Sequence, residues 1–288
     1  MSGKALNIAV LGSVNLDLAA TVSRLPVAGE TVTGACLNRF PGGKGANQAL
    51  AASRLGAAVT LLARVGADSA TDEALALLRA GGVDLSCCIA DPEQPTGVAL
   101  IAVGPSGENQ IVVAPGANRT FTPDLLTVPT ADALIGQLEV PVETLDFAVR
   151  RFDGFVCVNL APAMPVPETL IRGASLLVMN ETEAEFYGDA AFAGDAMVAV
   201  TFGRSGAELH RGGKRIARAR PPAVESVDTT GAGDCFTAAL TIALLEKQNP
   251  QSALQFACAA GAAATTRPGA QPSLPTRATV EALLGIGM

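Results

Sequence analysis

Short apolar runs alternate with helix-length stretches along most of this chain, and that rhythm leaves few folds open. Asn7–Gly12, Val59–Val65, Ala131–Leu138, Gly154–Asn159, Ser175–Met179 and Met197–Phe202 read as buried strands. Ala46–Leu55, Asp68–Ala80, Pro141–Arg151 and Pro167–Gly173 fall between them as helices, and Gly231–Lys247, Pro250–Thr266 and Arg277–Leu284 make the C-terminal part helical. A strand that is apolar on both faces has to be covered on both faces. The pattern therefore calls for an α/β fold with a doubly wound, mostly parallel central sheet flanked by helices. Some strands break the rhythm. Leu16–Thr21 and Glu30–Asn38 join through a turn at Pro26–Gly29, before a breaker at Pro41-Gly42-Gly43. Gly97–Val103 and Asn109–Val113 flank the turn Gly104–Glu108, and Glu208–His210 pairs with Lys214–Ala217 around Gly212-Gly213. The expectation is one domain over residues 1–288, carrying a small β lid built from segments near 14–40 and 96–114.

Composition narrows the function classes. Aromatics are only 4% with no Trp, while 49% of residues are hydrophobic, so the core has to be aliphatic, as in parallel-sheet proteins. A net charge of −7 opposes binding to nucleic acid or an anionic membrane, although backbone amides can still bind phosphate. No apolar run is suited to span a bilayer, and the first residues lack a signal-peptide core. The six cysteines contain no C-x-x-C pair, which points to free thiols in a reducing, cytoplasmic setting.

Four segments carry chemistry. Asp228-Thr229-Thr230-Gly231-Ala232-Gly233-Asp234 opens an apolar helix. Glycines there let main-chain N–H groups of Gly231, Ala232 and Gly233 converge as an anion hole, backed by the helix dipole. Asp234, in the first turn, can accept the proton of an attacking hydroxyl; an acidic helix start beside a tight turn would look the same. Gly42-Gly43-Lys44-Gly45-Ala46-Asn47 opens another helix, where small residues admit a polar ligand and Asn47 offers a donor and an acceptor. It is not a Walker A loop. Lys44 either steers phosphate or is solvated. In Asn15-Leu16-Asp17-Leu18, an extended backbone points Asn15 and Asp17 one way, at a strand end where α/β sheets bind ligands. Asn180-Glu181-Thr182-Glu183 is explained by helix capping alone, but also suits a hydrated Mg²⁺ on a nucleotide. His210, the only histidine, reads as exposed and not catalytic, and the basic run Arg211–Arg220 as a solvated face.

In this order the four segments resemble the signatures of the ribokinase-like carbohydrate kinase family, as do Thr96–Ile101 and Thr266–Ser273, so the likeness spans nearly the whole chain. The resemblance implies ATP-dependent phosphorylation of a sugar's primary hydroxyl, D-ribose to D-ribose 5-phosphate first among the candidates. Deoxyribose, fructose or a nucleoside are alternatives, and a catalytically weak sensor of sugar or nucleotide a further one. It implies Asp234 as base and Gly231, Ala232 and Gly233 as anion hole. Asn15, Asp17, Gly43, Lys44, Gly45, Ala46, Asn47 and Glu139 would line the sugar pocket. Asn180, Thr201, Gly203, Gly206, Gly233 and Cys258 would lie along the ATP groove, with Glu183 reaching Mg²⁺ through water. A monovalent cation, K⁺, would take oxygens of Asp228, Thr230, Ala264, Arg267, Gly269 and Ser273. The partners implied are a small-molecule sugar and ATP, with a homodimer formed through the lid. The chain departs from the family between Glu185 and Met197, which looks short by a helix, and around Arg151–Gly154. Cys258 stands where a His is common near adenine, and Thr237 where an Asn follows the base.

Overall fold

A computed structural model describes residues 5–105 and 108–285. Residues 106–107, at the tip of the turn expected at Gly104–Glu108, and residues 1–4 lie outside the described residues. The chain begins with β1 (Asn7–Leu11), β2 (Asn15–Thr21), β3 (Cys36–Gly42), α1 (Lys44–Arg54), β4 (Ala58–Gly66), α2 (Ser69–Ala80), β5 (Cys88–Asp91), β6 (Gly97–Val103) and β7 (Asn109–Ala114). The middle part holds β8 (Ala133–Gln137), α3 (Val142–Val149), β9 (Phe155–Asn159), α4 (Glu168–Gly173), β10 (Leu176–Asn180), α5 (Glu181–Tyr187) and β11 (Met197–Thr201). β12 (Ala207–Arg211), β13 (Lys214–Ala219), α6 (Ala232–Leu245), α7 (Pro250–Ala263), α8 (Ala270–Ser273) and α9 (Arg277–Leu283) complete it.

Nine strands form one sheet in the order β13-β12-β11-β10-β9-β8-β1-β4-β5, parallel except for β12 and β13 at one edge. The period-two alternation explains the two layers. Ile8 and Val10 of β1 pack on the face covered by α1, α2, α6 and α7, whereas Ala9 and Leu11 pack on the face covered by α3 and α4. Burying an aliphatic side chain such as Leu61 or Ile135 contributes about 1.5–3 kcal/mol relative to leaving it exposed. After β1 the chain turns to β4 on one side, and later to β8 on the other. The order reverses between β1 and β8, and such a switch point opens a crevice at the strands' carboxyl ends.

Of the strands that broke the rhythm, the first two pairs form a separate four-stranded sheet, β3-β2-β6-β7, the expected lid, whereas the hairpin around Gly212-Gly213 is β12 and β13 at the edge of the large sheet. Its second strand is not where the sequence placed it. Glu30 folds back onto Arg24 and the Val27 amide, and Gly34 adopts φ +81°, so 30–35 cannot pair and the strand is Cys36–Gly42. Pro41-Gly42 is not a breaker: the two residues close β3, opposite Leu16 and Asn15. β3 is an edge strand, where a residue without an N–H is tolerated. β5 was missed, because Cys88–Asp91 is only four residues long. The short stretch before β11 is a seven-residue α5 followed by a 3-10 turn, Gly188–Phe192. His210 is not exposed: it lies half-buried on β12, hydrogen-bonded to Glu208 Oε2 at 3.2 Å and edge-on to Phe192. All six cysteines are free, with Cys157, Cys235 and Cys258 buried. Among the described residues no helix is long and apolar enough to cross a membrane.

Candidate active site

The crevice at the switch point gathers the first polar set. Ser13, just after β1, donates through its hydroxyl to Glu139, just after β8, and the Lys44 amide donates to the same Glu139 oxygen at 3.1 Å. Gly43 turns the chain into α1 with φ +89°, a conformation L side chains rarely adopt. Above them β2 leaves the large sheet for the lid and carries Asn15 and Asp17, both almost fully buried. Asn118 fixes Asn15: its Nδ2 donates to Asn15 Oδ1 at 2.8 Å, and its Oδ1 accepts from the Val14 amide at 2.9 Å. That contact fixes which way the Asn15 amide faces, and its N–H₂ remains to donate to a ligand.

Asp234 comes to this pocket from the far end of the sequence. Gly231, in the left-handed conformation at φ +79°, starts α6, and Asp234 is buried in the first turn. Its Oδ2 accepts from Asn47 Nδ2 at 2.9 Å and its Oδ1 from Gln48 Nε2 at 3.0 Å. Among the described residues the Gly231 and Gly233 amides have no hydrogen-bond partner and stand free at the helix start. The Ala232 amide differs from expectation, because the tight turn draws it to Thr229 O at 3.2 Å.

The charges here are coupled. Burial first, then Glu139, Asp234 and Asp228, push the Asp17 carboxyl up to about 7. Burial pulls Lys44 down, but Asp234, Glu139 and Glu183 outweigh it and hold its ammonium above the ordinary lysine value. Lys44 is therefore a half-buried cation among carboxylates and not a solvated one.

A groove of about 970 Å³ reaches the same helix start, where Ala232 and Gly233 line it. Asn180, Thr201, Gly203, Gly206, Gly233 and Cys258 all line it. Asn180 and Glu183 form a reciprocal cap at the start of α5: Asn180 Oδ1 accepts from the Glu183 amide, and Glu183 Oε2 from the Asn180 amide, each at 2.8 Å. The capping explanation of this segment holds, and Glu183 Oε1 remains to accept from the water of a hydrated ion. Thr237 turns away, its hydroxyl donating to Gly233 O at 2.8 Å.

The stretch 227–230 docks on 264–273. The Val227 and Asp228 amides donate to Thr265 O at 2.7 and 3.1 Å, and the Gly269 amide to Asp228 Oδ2 at 2.8 Å. Asp228 Oδ1 accepts from the Thr230 amide and hydroxyl at 2.9 and 2.7 Å. The Asp228 carboxylate is thus a loop staple, and the oxygens left to a cation are main-chain carbonyls and the Ser273 hydroxyl. A neutral oxygen set fits a weakly hydrated monovalent ion better than a divalent one.

Ser13, Gln48, Asn118, Gln137 and Asn159 were not singled out from sequence. A signal existed for two of them: Gln137 and Asn159 are polar residues closing apolar strands, β8 and β9, at the ligand-binding end of the sheet.

Comparison with known proteins agrees with this geometry. The family model described as pfkB family carbohydrate kinase matches residues 5–277. A ribokinase of Bacillus subtilis is 38% identical, with 96% of this chain and 99% of the relative covered. The crystal structure of a Thermotoga maritima ribokinase superposes with TM-score 0.87 at 34% identity, covering 97% of this chain and 99% of the other. The Arabidopsis thaliana ribokinase complexed with ribose and ATP gives TM-score 0.86 at 29% identity, covering 99% and 100%. A family model that spans nearly the whole chain and relatives of up to 38% identity settle the family: the chain belongs to the pfkB family of carbohydrate kinases.

Proposed function

We propose that this protein transfers the γ-phosphoryl group of ATP to the primary hydroxyl of D-ribose, giving D-ribose 5-phosphate and ADP. The observation that carries the reading is Asp234, buried and hydrogen-bonded to Asn47 of the polar pocket, directly after Gly233, which lines the 970 Å³ groove. That similar chains are ribokinases, one of them in complex with ribose and ATP, supports ribose as the sugar. The chain acts as one kinase domain in the cytoplasm, with the four-stranded sheet as its lid.

In this reading Asn15, Asp17, Gly43, Lys44, Gly45, Ala46, Asn47 and Glu139 hold the sugar. Asn180, Thr201, Gly203, Gly206, Gly233 and Cys258 hold the nucleotide. Asp234 takes the proton of the hydroxyl as its oxygen bonds to the γ-phosphorus and the bond to the ADP oxygen breaks. The Gly231 and Gly233 amides face the charge on the transferring group. Lid closure over β2 excludes water and suppresses ATP hydrolysis. Bound Mg²⁺, met by Glu183 through water, and K⁺, held by carbonyls of Asp228, Thr230, Ala264, Arg267 and Gly269 with Ser273, supply positive charge that offsets the phosphates.

The test is ADP release with Mg-ATP across ribose, deoxyribose, fructose and adenosine, in K⁺ or Na⁺. Ribose-dependent turnover that rises with K⁺ is expected. A folded protein that binds ligand but releases no ADP with any of them overturns the kinase and leaves a sensor. The ribose KM should also depend on pH. Asp17, with its carboxyl near 7, is mostly protonated below that pH, and only the ionised form accepts two sugar hydroxyls. Affinity is therefore lost as pH falls: KM should rise about tenfold from pH 8 to pH 6. The Asp17→Asn variant should show no such slope.

The protein forms a homodimer through the lid. Leu18, Leu100 and Val112 stand in one row across β2, β6 and β7, with Leu100 and Val112 exposed on the same face as exposed Leu37. Sedimentation should give a dimer for the native protein and a monomer for Leu100→Glu; a native monomer removes the claim.

A further inference from the structure

Behind Asp234 lies a buried chain of amides that the reaction as described does not use. Asn159 Nδ2 donates to the main-chain oxygen of Val178 at 3.1 Å. A carbonyl can only accept, so this contact fixes which way the Asn159 amide faces. Its Oδ1 must then point to Gln48, and it accepts from Gln48 Nε2 at 3.1 Å. At its other end Gln137 Nε2 donates to Gln48 Oε1 at 2.6 Å, and because Gln137 Oε1 has no partner that amide follows Gln48. Turning Gln48 over would set oxygen against oxygen at Asn159 and at Asp234. Both Gln48 and Gln137 are fully buried, so no water relieves such a mismatch.

One main-chain carbonyl therefore determines, through Asn159, that Gln48 presents its N–H₂ to the carboxylate. Gln48 Nε2 meets Asp234 Oδ1 at 3.0 Å. The donor on the second oxygen is of another kind. Asn47 meets Oδ2 at 2.9 Å, but the Asn47 Oδ1 atom has no partner and nothing locks that amide. Asn47 also faces the sugar side of the pocket, so it is free to exchange Asp234 for a ligand hydroxyl.

We propose that Gln48 is a positioning residue for the base: its locked amide pins Asp234 Oδ1 and leaves Oδ2 as the oxygen that takes the proton. This rests on the reading of Asp234 as the base. Gln48 makes no contact with the substrate in this assignment. It acts by keeping the carboxylate plane aimed, and Gln137 acts only through Gln48.

The experiment measures kcat and the ribose KM at saturating ATP for Q48L, Q137L, the double variant and D234N. The groups that face Asp234 from the packed elements are Lys44 of α1, Asp17 of β2, Glu183 of α5 and the neighbouring Cys235 thiol, and all are retained in Q48L. Q48L should lower kcat about 10–100-fold, as expected for a misplaced reacting group, while the ribose KM changes less than about threefold. Q137L should lower kcat in the same direction by less, again with the ribose KM nearly unchanged. The double variant should be no slower than Q48L, because Gln137 has nothing left to act through. A folded Q48L with native kcat, or one that loses kcat and ribose affinity alike, overturns the proposal. If Q48L does not fold, native kcat in Q137L overturns it instead. D234N separates the two claims: if it keeps turnover, Asp234 is not the base, whereas an inactive D234N beside a native Q48L removes only the role of Gln48.

Discussion

Asp234→Asn is expected to lower kcat by about 10²–10⁴-fold, the contribution typical of a positioned general base, with the fold intact. The amide cannot take the hydroxyl proton, so the attacking oxygen would have to lose it to water. The site can absorb the change without strain. Gln48 still donates to the oxygen of the new side chain, and the unlocked Asn47 amide can turn its unpartnered Oδ1 towards the new N–H₂. Thermal unfolding should therefore match the native protein, and calorimetry should show ribose and ATP still bound. Retention of kcat within about tenfold would mean that another group accepts the proton, and the assignment of the base would fall.

Gly43→Ala should abolish ribose binding at working concentrations while leaving ATP bound. Gly43 has φ +89° and ψ +131°, a region open almost only to glycine, where another residue costs about 1–3 kcal/mol. A Cβ there would also stand 2.8 Å from both Ser13 O and the Asn15 amide nitrogen. Both are main-chain atoms, so relief requires β2 to move away from α1. That motion carries Asn15 and Asp17 off the pocket, and the ribose KM should rise about 100-fold or more, the cost of misplacing several hydrogen bonds at once. The nucleotide groove is lined by other segments, so ATP affinity measured by calorimetry should change less than about threefold. Native ribose affinity in this variant would show that the Gly43 turn does not build the pocket.

The sequence was most legible where one local rule acts alone. Helix starts at Lys44, Ser69 and Ala232 follow from Gly, Asp and apolar spacing, and the structure places them within two residues of the expected positions. It was least legible where pairing overrides propensity. Pro41 reads as a stop, yet it lies in a strand because β3 needs no N–H on its open edge. Glu30–Asn38 has strand composition, yet the Glu30 carboxylate closes a loop on Arg24 that consumes its first half. Thr237 stands beside the site in sequence but bonds its own helix.

The chain itself determined the layers and the chemistry. Apolar alternation requires a sheet covered on both faces, and the chain itself carries two glycine-rich helix starts with the Asp234 carboxylate after one of them. Tertiary structure decided which groups meet. Asn47 and Gln48 are 187 and 186 residues from Asp234, and only the packing of α1 on α6 brings both amides to its carboxylate. Ser13 and Glu139 join across the switch point for the same reason. Such contacts depend on strand order, which no local pattern encodes, because the free energy that selects it comes from burying the two faces of the whole sheet together.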